Sequence, residues 1–183
     1  MVNGAIANPN TSIMEQDVLI PLTQGKFAIV GRCDADLVNQ FKWSARRHER
    51  LNGPDLFYAS RNVRYQTDGR TRTKCQFMHC LLIDTEEDVD HRDGDGLNNR
   101  RSNLRPATRS QNMANQRARG GTSRFRGVTW NRALKRWQAQ IMVNYRNRYL
   151  GLFDDEESAA RAYDDAAVME FGEFANPNFK EAA

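Results

Sequence analysis

An aspartate and a histidine stand side by side at Asp90-His91, followed by the turn-rich stretch Asp93-Gly-Asp-Gly96 and by asparagines at 98, 99, 103 and 112. Hydrolysing a phosphodiester needs a base to take a proton from water, a divalent cation to neutralise charge developing on phosphate, and groups that hold both in place. Asp90, His91 and Asn112 are residues of the right kinds. A hard cation prefers oxygen, which the Asp90 carboxylate and the Asn112 amide carbonyl offer while leaving positions for water and phosphate. Neighbours on a strand point to opposite faces, so Asp90 and His91 converge only if the strand ends there and its backbone turns. The glycines and asparagines that follow permit that turn, and Asn103 is placed mid-loop, where its amide can tie the loop by hydrogen bonds. Asp93-Gly-Asp-Gly96 lacks the distal glutamate of a calcium loop and reads as a turn.

The charge around these residues points to the same substrate. Between Gly96 and Phe153 there are thirteen lysines and arginines and no aspartate or glutamate, whereas residues 154–183 carry nine acids against Arg161 and Lys180. A net charge of +4 therefore hides a strongly basic tract, which suits a polyanion. Within it Arg100, Arg101 and Arg105 lie next to the Asp-His pair, and Arg126, Arg132 and Arg148 lie further on. All six are expected on DNA, touching phosphate or guanine. His79 flanks an apolar run and reads equally as a hydrogen-bonded core residue or a site contact, while His48 sits in a basic surface stretch. The three cysteines, Cys33, Cys75 and Cys80, form no Cys-x-x-Cys pair. Neither a disulfide framework nor a zinc ribbon is indicated, and a reducing compartment is the simplest setting. No apolar run approaches the roughly 18 residues of a membrane span, so a cytoplasmic protein without a membrane partner is expected.

Residues 1–16 read as a flexible tail. From Asp17 to about Glu87, short apolar runs at 26–30, 56–59 and 75–78 suit strands, with one helix near 35–41. Residues 88–115 read as strand, loop and helix, the helix opened by a capping box at Thr108-x-x-Gln111. The polar stretch 116–123 reads as a linker. Beyond it, Trp137, Ala139, Ile141 and Val143 alternate with Gln138, Gln140, Met142 and Asn144, which predicts a half-buried strand between neighbours at 125–130 and 148–153. Asp154-x-x-Glu157 opens a helix whose Ala160, Tyr163, Ala167 and Phe171 recur at helical spacing, and Gly172 stops it. The fold class expected is α+β, with a mixed N-terminal domain at 17–115 and a three-stranded antiparallel sheet on one helix at 124–179. The helix's exposed side is acidic, so the sheet's uncovered polar face is the candidate for DNA.

The stretch Val89-Asp-His-Arg-Asp-Gly-Asp-Gly-Leu-Asn-Asn-Arg-Arg-Ser-Asn-Leu-Arg105, continued by Ser110-Gln-Asn-Met-Ala-Asn115, resembles the ββα-metal (His-Me finger) motif of HNH homing endonucleases. The resemblance implies that His91 is the general base, that Asp90 and Asn112 hold one Mg²⁺ or Mn²⁺ ion, and that Asn103 is structural. The upstream segments Ile20 to Val30 and Met78 to Ile83 are also similar to members of that family, so the resemblance covers most of 18–115. The second unit, with Ser123-Arg-Phe-Arg-Gly-Val-Thr-Trp130, Lys135-Arg-Trp-Gln-Ala-Gln-Ile141 and Tyr149-Leu-Gly-Leu-Phe153, resembles the Apetala/ethylene-response DNA-binding domain. That family lays its sheet in the major groove. Thr129, Asn131, Gln140, Met142 and Tyr149 depart from its usual readers, so no target sequence carries over. Gln138, Gln140 and Asn144 are expected at adenine edges, with Thr129 beside them.

The expected protein is a site-selective, divalent-metal-dependent endonuclease of double-stranded DNA, acting as a monomer or homodimer and carried by an intron or a bacteriophage. Two other readings stand beside it. One is a non-catalytic DNA-binding regulator that uses the C-terminal sheet; the other is an RNA-directed nuclease, to which a duplex-reading sheet is poorly suited.

Overall fold

The computed structural model describes residues 17–49, 54–116 and 121–179. The expected tail at 1–16 and residues 117–120 of the expected linker lie outside them. The described residues form an α+β protein of small antiparallel sheets and four helices. They divide into two compact units, one drawn from 17–48, 57–84 and 95–105, the other from 49, 54–56, 85–94, 106–116 and 121–179. The division does not fall at 116–123, because the Asp-His strand end and the helix after it belong with the C-terminal sheet.

In the first unit, β1 (Asp17–Pro21) and β2 (Phe27–Gly31) form a hairpin, followed by α1 (Arg32–Asn39). Then come β3 (Ser44–His48), β4 (Leu56–Thr67), β5 (Arg70–Phe77) and the short α2 (Met78–Leu82). Ala28, Val30, Ala35, Val38, Trp43 and Met78 are buried, and the Trp43 indole donates to the Val38 carbonyl at 2.8 Å. The helix starts earlier than its apolar spacing suggested, and the strands of the β4–β5 ribbon run far beyond the apolar runs at 56–59 and 75–78. Asp68 and Gly69 turn the ribbon with φ of 50° and 69°, the paired left-handed conformation that matches strand twist. Most side chains from Arg64 to Cys75 are exposed. With both faces wet there is no period-two pattern to read.

The second unit holds β6 (Asp88–His91) and α3 (Arg109–Ala114), while β7 (Leu104–Ala107), the strand paired with β6 in a two-stranded sheet, begins in the first unit and ends in the second. The capping box of α3 is formed: the Gln111 N–H donates to the Thr108 hydroxyl, and the Thr108 N–H donates back to the Gln111 side chain at 2.8 Å. A second sheet, of β8 (Val128–Asn131), β9 (Arg136–Val143) and β10 (Arg146–Phe153), is antiparallel with β9 central. The helix α4 (Glu156–Phe171) covers one face, burying Ala159, Ala160, Tyr163, Ala167 and Phe171 against Val128, Ala139 and Ile141. The cap of α4 lies one residue later than its acidic spacing suggested, at Asp155, whose carboxylate accepts from the Ser158 N–H at 2.7 Å. Gly127 meets α4 at close range: its φ is +74°, and a Cβ there would lie 2.0 Å from the Tyr163 ring.

Candidate active site

The strand β6 ends at His91, and the Gly94 N–H donates to the His91 carbonyl at 2.8 Å to close a turn. Gly94 takes φ of +72° there, which an L-residue adopts at a cost. The strand thus stops at the Asp-His pair and its backbone turns, the condition under which the two side chains can serve one site. Both are buried, Asp90 to 4% exposure and His91 to 6%, and electrostatic interactions strengthen where water is thinned out.

The group that meets Asp90 is Asn115. Its amide Nδ2 lies 3.0 and 3.1 Å from the two carboxylate oxygens and 2.7 Å from the His91 carbonyl. Two amide hydrogens shared among an anionic oxygen pair and a main-chain carbonyl fix the carboxylate relative to the strand end, and bonds to a charged acceptor are the stronger kind. Asn112, one turn earlier on α3, is half-buried and has no side-chain hydrogen bond among the described residues. Three residues of separation on a helix keep the two asparagines on neighbouring positions of one face. Asn103 lies in a 3-10 turn of the first unit, and its Nδ2 donates to the Asn98 carbonyl at 2.8 Å.

Among the described residues no three His, Cys, Asp or Glu side chains group together. A cation here would rest on one carboxylate and an amide oxygen, a hard donor set suited to magnesium or manganese and unsuited to zinc.

The arginines expected on DNA are placed in several ways. Arg100 pairs with Asp17, and Arg101 grips the buried Asp34 with 2.9 and 3.0 Å bonds that raise the affinity of its guanidinium for its proton. Arg105 is buried. Arg148 falls on the α4 side of the sheet, opposite Ile141, and pairs with Glu170 at 2.6 Å. Arg126 spends its guanidinium on carbonyls: Nη2 donates to Met113 at 2.7 Å, and Nη1 donates to Ala114 and to Gln116. Arg132 is exposed in the β8–β9 turn. Asn144 occupies the β9–β10 turn with φ of 47°, off the sheet face.

The face that α4 leaves uncovered carries Thr129, Gln138 and Gln140 as expected from alternation, together with Met142, Asn147 and Tyr149, set by the β9–β10 register. Met142 and Tyr149 are large and exposed. Beside them a cavity of about 350 Å³ is lined by Met113, Arg126, Thr129, Gln140, Met142 and Tyr145, among others. Trp130 and Trp137 meet edge to face on the α4 side, with ring centres 5.0 Å apart. His79, in the first unit, stacks on Phe77 at 5.3 Å beside Tyr58.

A further basic surface lies outside the tract between Gly96 and Phe153. On the β4–β5 ribbon the register sets Arg61, Val63, Tyr65 and Thr67 opposite Gln76, Lys74, Arg72 and Arg70, so four cations and a tyrosine share one face. The Asp68-Gly69 dipeptide was the available signal for this ribbon.

The HNH endonuclease family matches residues 83–114. An uncharacterised HNH endonuclease of Acanthamoeba polyphaga mimivirus is 28% identical over 159 residues, covering 85% of this chain and 76% of that protein. An APETALA2-like protein of rice, Oryza sativa subsp. indica, is 46% identical over 65 residues, 34% of this chain. An AP2-like ethylene-responsive transcription factor of Arabidopsis thaliana is 38% identical over 76 residues, 42% of this chain. The chain spans only about 15% of the length of the rice protein and 16% of the Arabidopsis one. One chain thus carries a segment similar to HNH endonucleases and a segment similar to AP2-type proteins.

Proposed function

We propose that the protein is a divalent-metal-dependent endonuclease of duplex DNA, of the homing type, in which His91 takes a proton from the attacking water. The observation that carries this reading is the strand end at Asp90-His91 with the Asp90 carboxylate held by Asn115. In this reading β6, β7 and α3 serve as the two strands and the helix of a ββα-metal motif. Asp90 and the Asn112 carbonyl would hold one Mg²⁺ or Mn²⁺ ion, which when bound neutralises charge on the scissile phosphate. Among the described residues the Asn112 side chain makes no hydrogen bond that would compete with that task. Asn115 fixes the carboxylate, Asn103 stiffens its loop through Asn98, and the turn at Gly94 holds His91 at the strand end.

Duplex DNA is the substrate that fits the surfaces. The uncovered face of the β8–β9–β10 sheet presents Thr129, Gln138, Gln140, Asn147 and Tyr149, polar groups able to reach base edges, with Met142 able to contact a thymine methyl. On the exposed face of the β4–β5 pair, part of the three-stranded β3–β4–β5 sheet, Arg70, Arg72 and Lys74 suit phosphate. Arg132 remains a candidate phosphate contact. A single site of this kind cuts one strand at a time, so a monomer nicks and a dimer or successive events break both strands. The likeness to a mimivirus protein fits an origin in a phage or another virus.

Supercoiled plasmid incubated with the protein, with Mg²⁺ or Mn²⁺ and with or without EDTA, tests the reading. Nicked or linear product that depends on the metal and disappears in His91→Ala is the expected result. Intact plasmid under every metal condition, with DNA still bound, would instead support the regulator reading that the plant transcription-factor likeness allows. A parallel duplex RNA of the same length separates the RNA-directed alternative.

A further inference from the structure

Arg126 and Asn176 connect the C-terminal sheet and helix to the candidate catalytic helix, within one compact unit. The carbonyls of a helix's last turn have no partner inside the helix, and a cation beside them is favoured by the helix dipole. On α3 those carbonyls, at Met113 and Ala114, together with that of Gln116, are taken by the Arg126 guanidinium. Arg126 is itself pinned: its N–H donates to the Asn178 side-chain oxygen at 2.7 Å, and its carbonyl accepts from the Asn178 amide at 3.1 Å. Asn178 in turn donates to the buried Asp164 of α4. Asn176 Nδ2 donates to the Asn115 carbonyl at 3.0 Å, and Asn115 is the residue that holds Asp90. Ala114 is packed with Ile141, Tyr163, Ala167 and Phe171 in one apolar cluster.

We infer that the C-terminal module is a clamp on the cleavage site as well as an address for DNA, with Arg126 and Asn176 as positioning residues that act on Asp90 through Asn115. A module that served only to bring the enzyme to its target would change affinity when disturbed and leave the bound enzyme's rate alone. A clamp does the reverse, since a displaced carboxylate slows cleavage however much DNA is bound.

The inference rests on the nuclease reading, and the test separates the two failures. Full-length Arg126→Gln, Arg126→Lys, Asn176→Ala, Asn115→Ala and the Asn115→Ala/Asn176→Ala pair are assayed on supercoiled plasmid across DNA concentration, with thermal midpoints measured alongside. A wild-type protein that cleaves nothing sinks the nuclease reading. With an active wild type, Arg126→Gln and Asn176→Ala are expected to lower kcat at least about tenfold while KM moves less than about threefold, and Arg126→Lys is expected to recover part of the loss. The double variant is expected to be no slower than Asn115→Ala, because both act through one group. An unchanged kcat with a raised KM would make Arg126 a phosphate contact and overturn the clamp, as would losses that multiply in the double variant. Should Arg126→Gln lose its folding transition, Asn176→Ala and the double variant decide alone, since they leave the guanidinium cap in place.

Discussion

At the scale of single residues, the proposed chemistry turns on one imidazole and on two asparagines that differ in what they touch. A general base contributes typically 10²- to 10⁴-fold, so His91→Ala is expected to reduce plasmid cleavage by about that much, with affinity in a gel-shift titration unchanged. Asn115→Ala removes an amide bonded to a carboxylate, a contact worth about 1.5–3 kcal/mol, and the cleavage rate is expected to drop roughly ten- to a hundredfold. Asn112→Ala distinguishes the roles: its loss is expected to raise the Mg²⁺ concentration needed for half-maximal cleavage, whereas Asn115→Ala lowers the plateau. An identical metal titration for the two variants would contradict this division of labour. Asn112 was expected at the site from its residue type and its place in the motif, and its metal role is what this titration tests. Asn115 was not singled out, because its value lies in reaching Asp90 from 25 residues away in the chain.

At the scale of elements, the β8–β9–β10 sheet and α4 depend on a few local features. Gly127 combines a left-handed backbone with a ring where a Cβ would sit, so Gly127→Ala adds backbone strain of about 1–2 kcal/mol and an overpacking cost of about 1–3 kcal/mol. Urea denaturation should show a loss on the order of 2–5 kcal/mol. Asp155 caps α4, and its carboxyl is held below the usual range chiefly by the Ser158 hydroxyl and N–H. A lowered folded-state pKa means the contribution is complete above the unfolded value near 3.8 and is lost as pH falls through the folded value. The thermal midpoint of the wild type is therefore expected to fall more steeply below about pH 4 than that of Asp155→Asn, which caps without titrating. Parallel curves would remove Asp155 as a source of acid sensitivity. The alternation from Trp137 to Val143 and the spacing of Ala160, Tyr163, Ala167 and Phe171 made these elements readable. The β4–β5 ribbon was nearly silent because it buries neither face along most of its length.

At the scale of the whole molecule, affinity for DNA should be salt-dependent, with log K falling against log salt by about 0.9 for each phosphate contact. Replacing Arg70, Arg72 and Lys74 by glutamine is expected to flatten that slope by roughly 3, while Arg101→Gln, whose guanidinium is spent on Asp34, should flatten it less. Equal slopes for the two variants would remove the ribbon from the DNA surface. By itself the chain of residues determined the α+β class, the Asp-His pair at a strand end, the capping box of α3, and the alternating β9 strand. Each of these is written in nearest neighbours, in a period of two or of 3.6, or in the geometry of a turn. Only the tertiary structure decided that Asn115 meets Asp90, that Arg126 caps a helix, that Arg148 pairs with Glu170 on the covered side, and that the Asp-His strand end shares a compact unit with the C-terminal sheet. Those outcomes depend on which long flexible side chain finds which carbonyl or carboxylate across tens of residues, and an arginine's type and position in the chain are the same whether it will bind phosphate or its own fold.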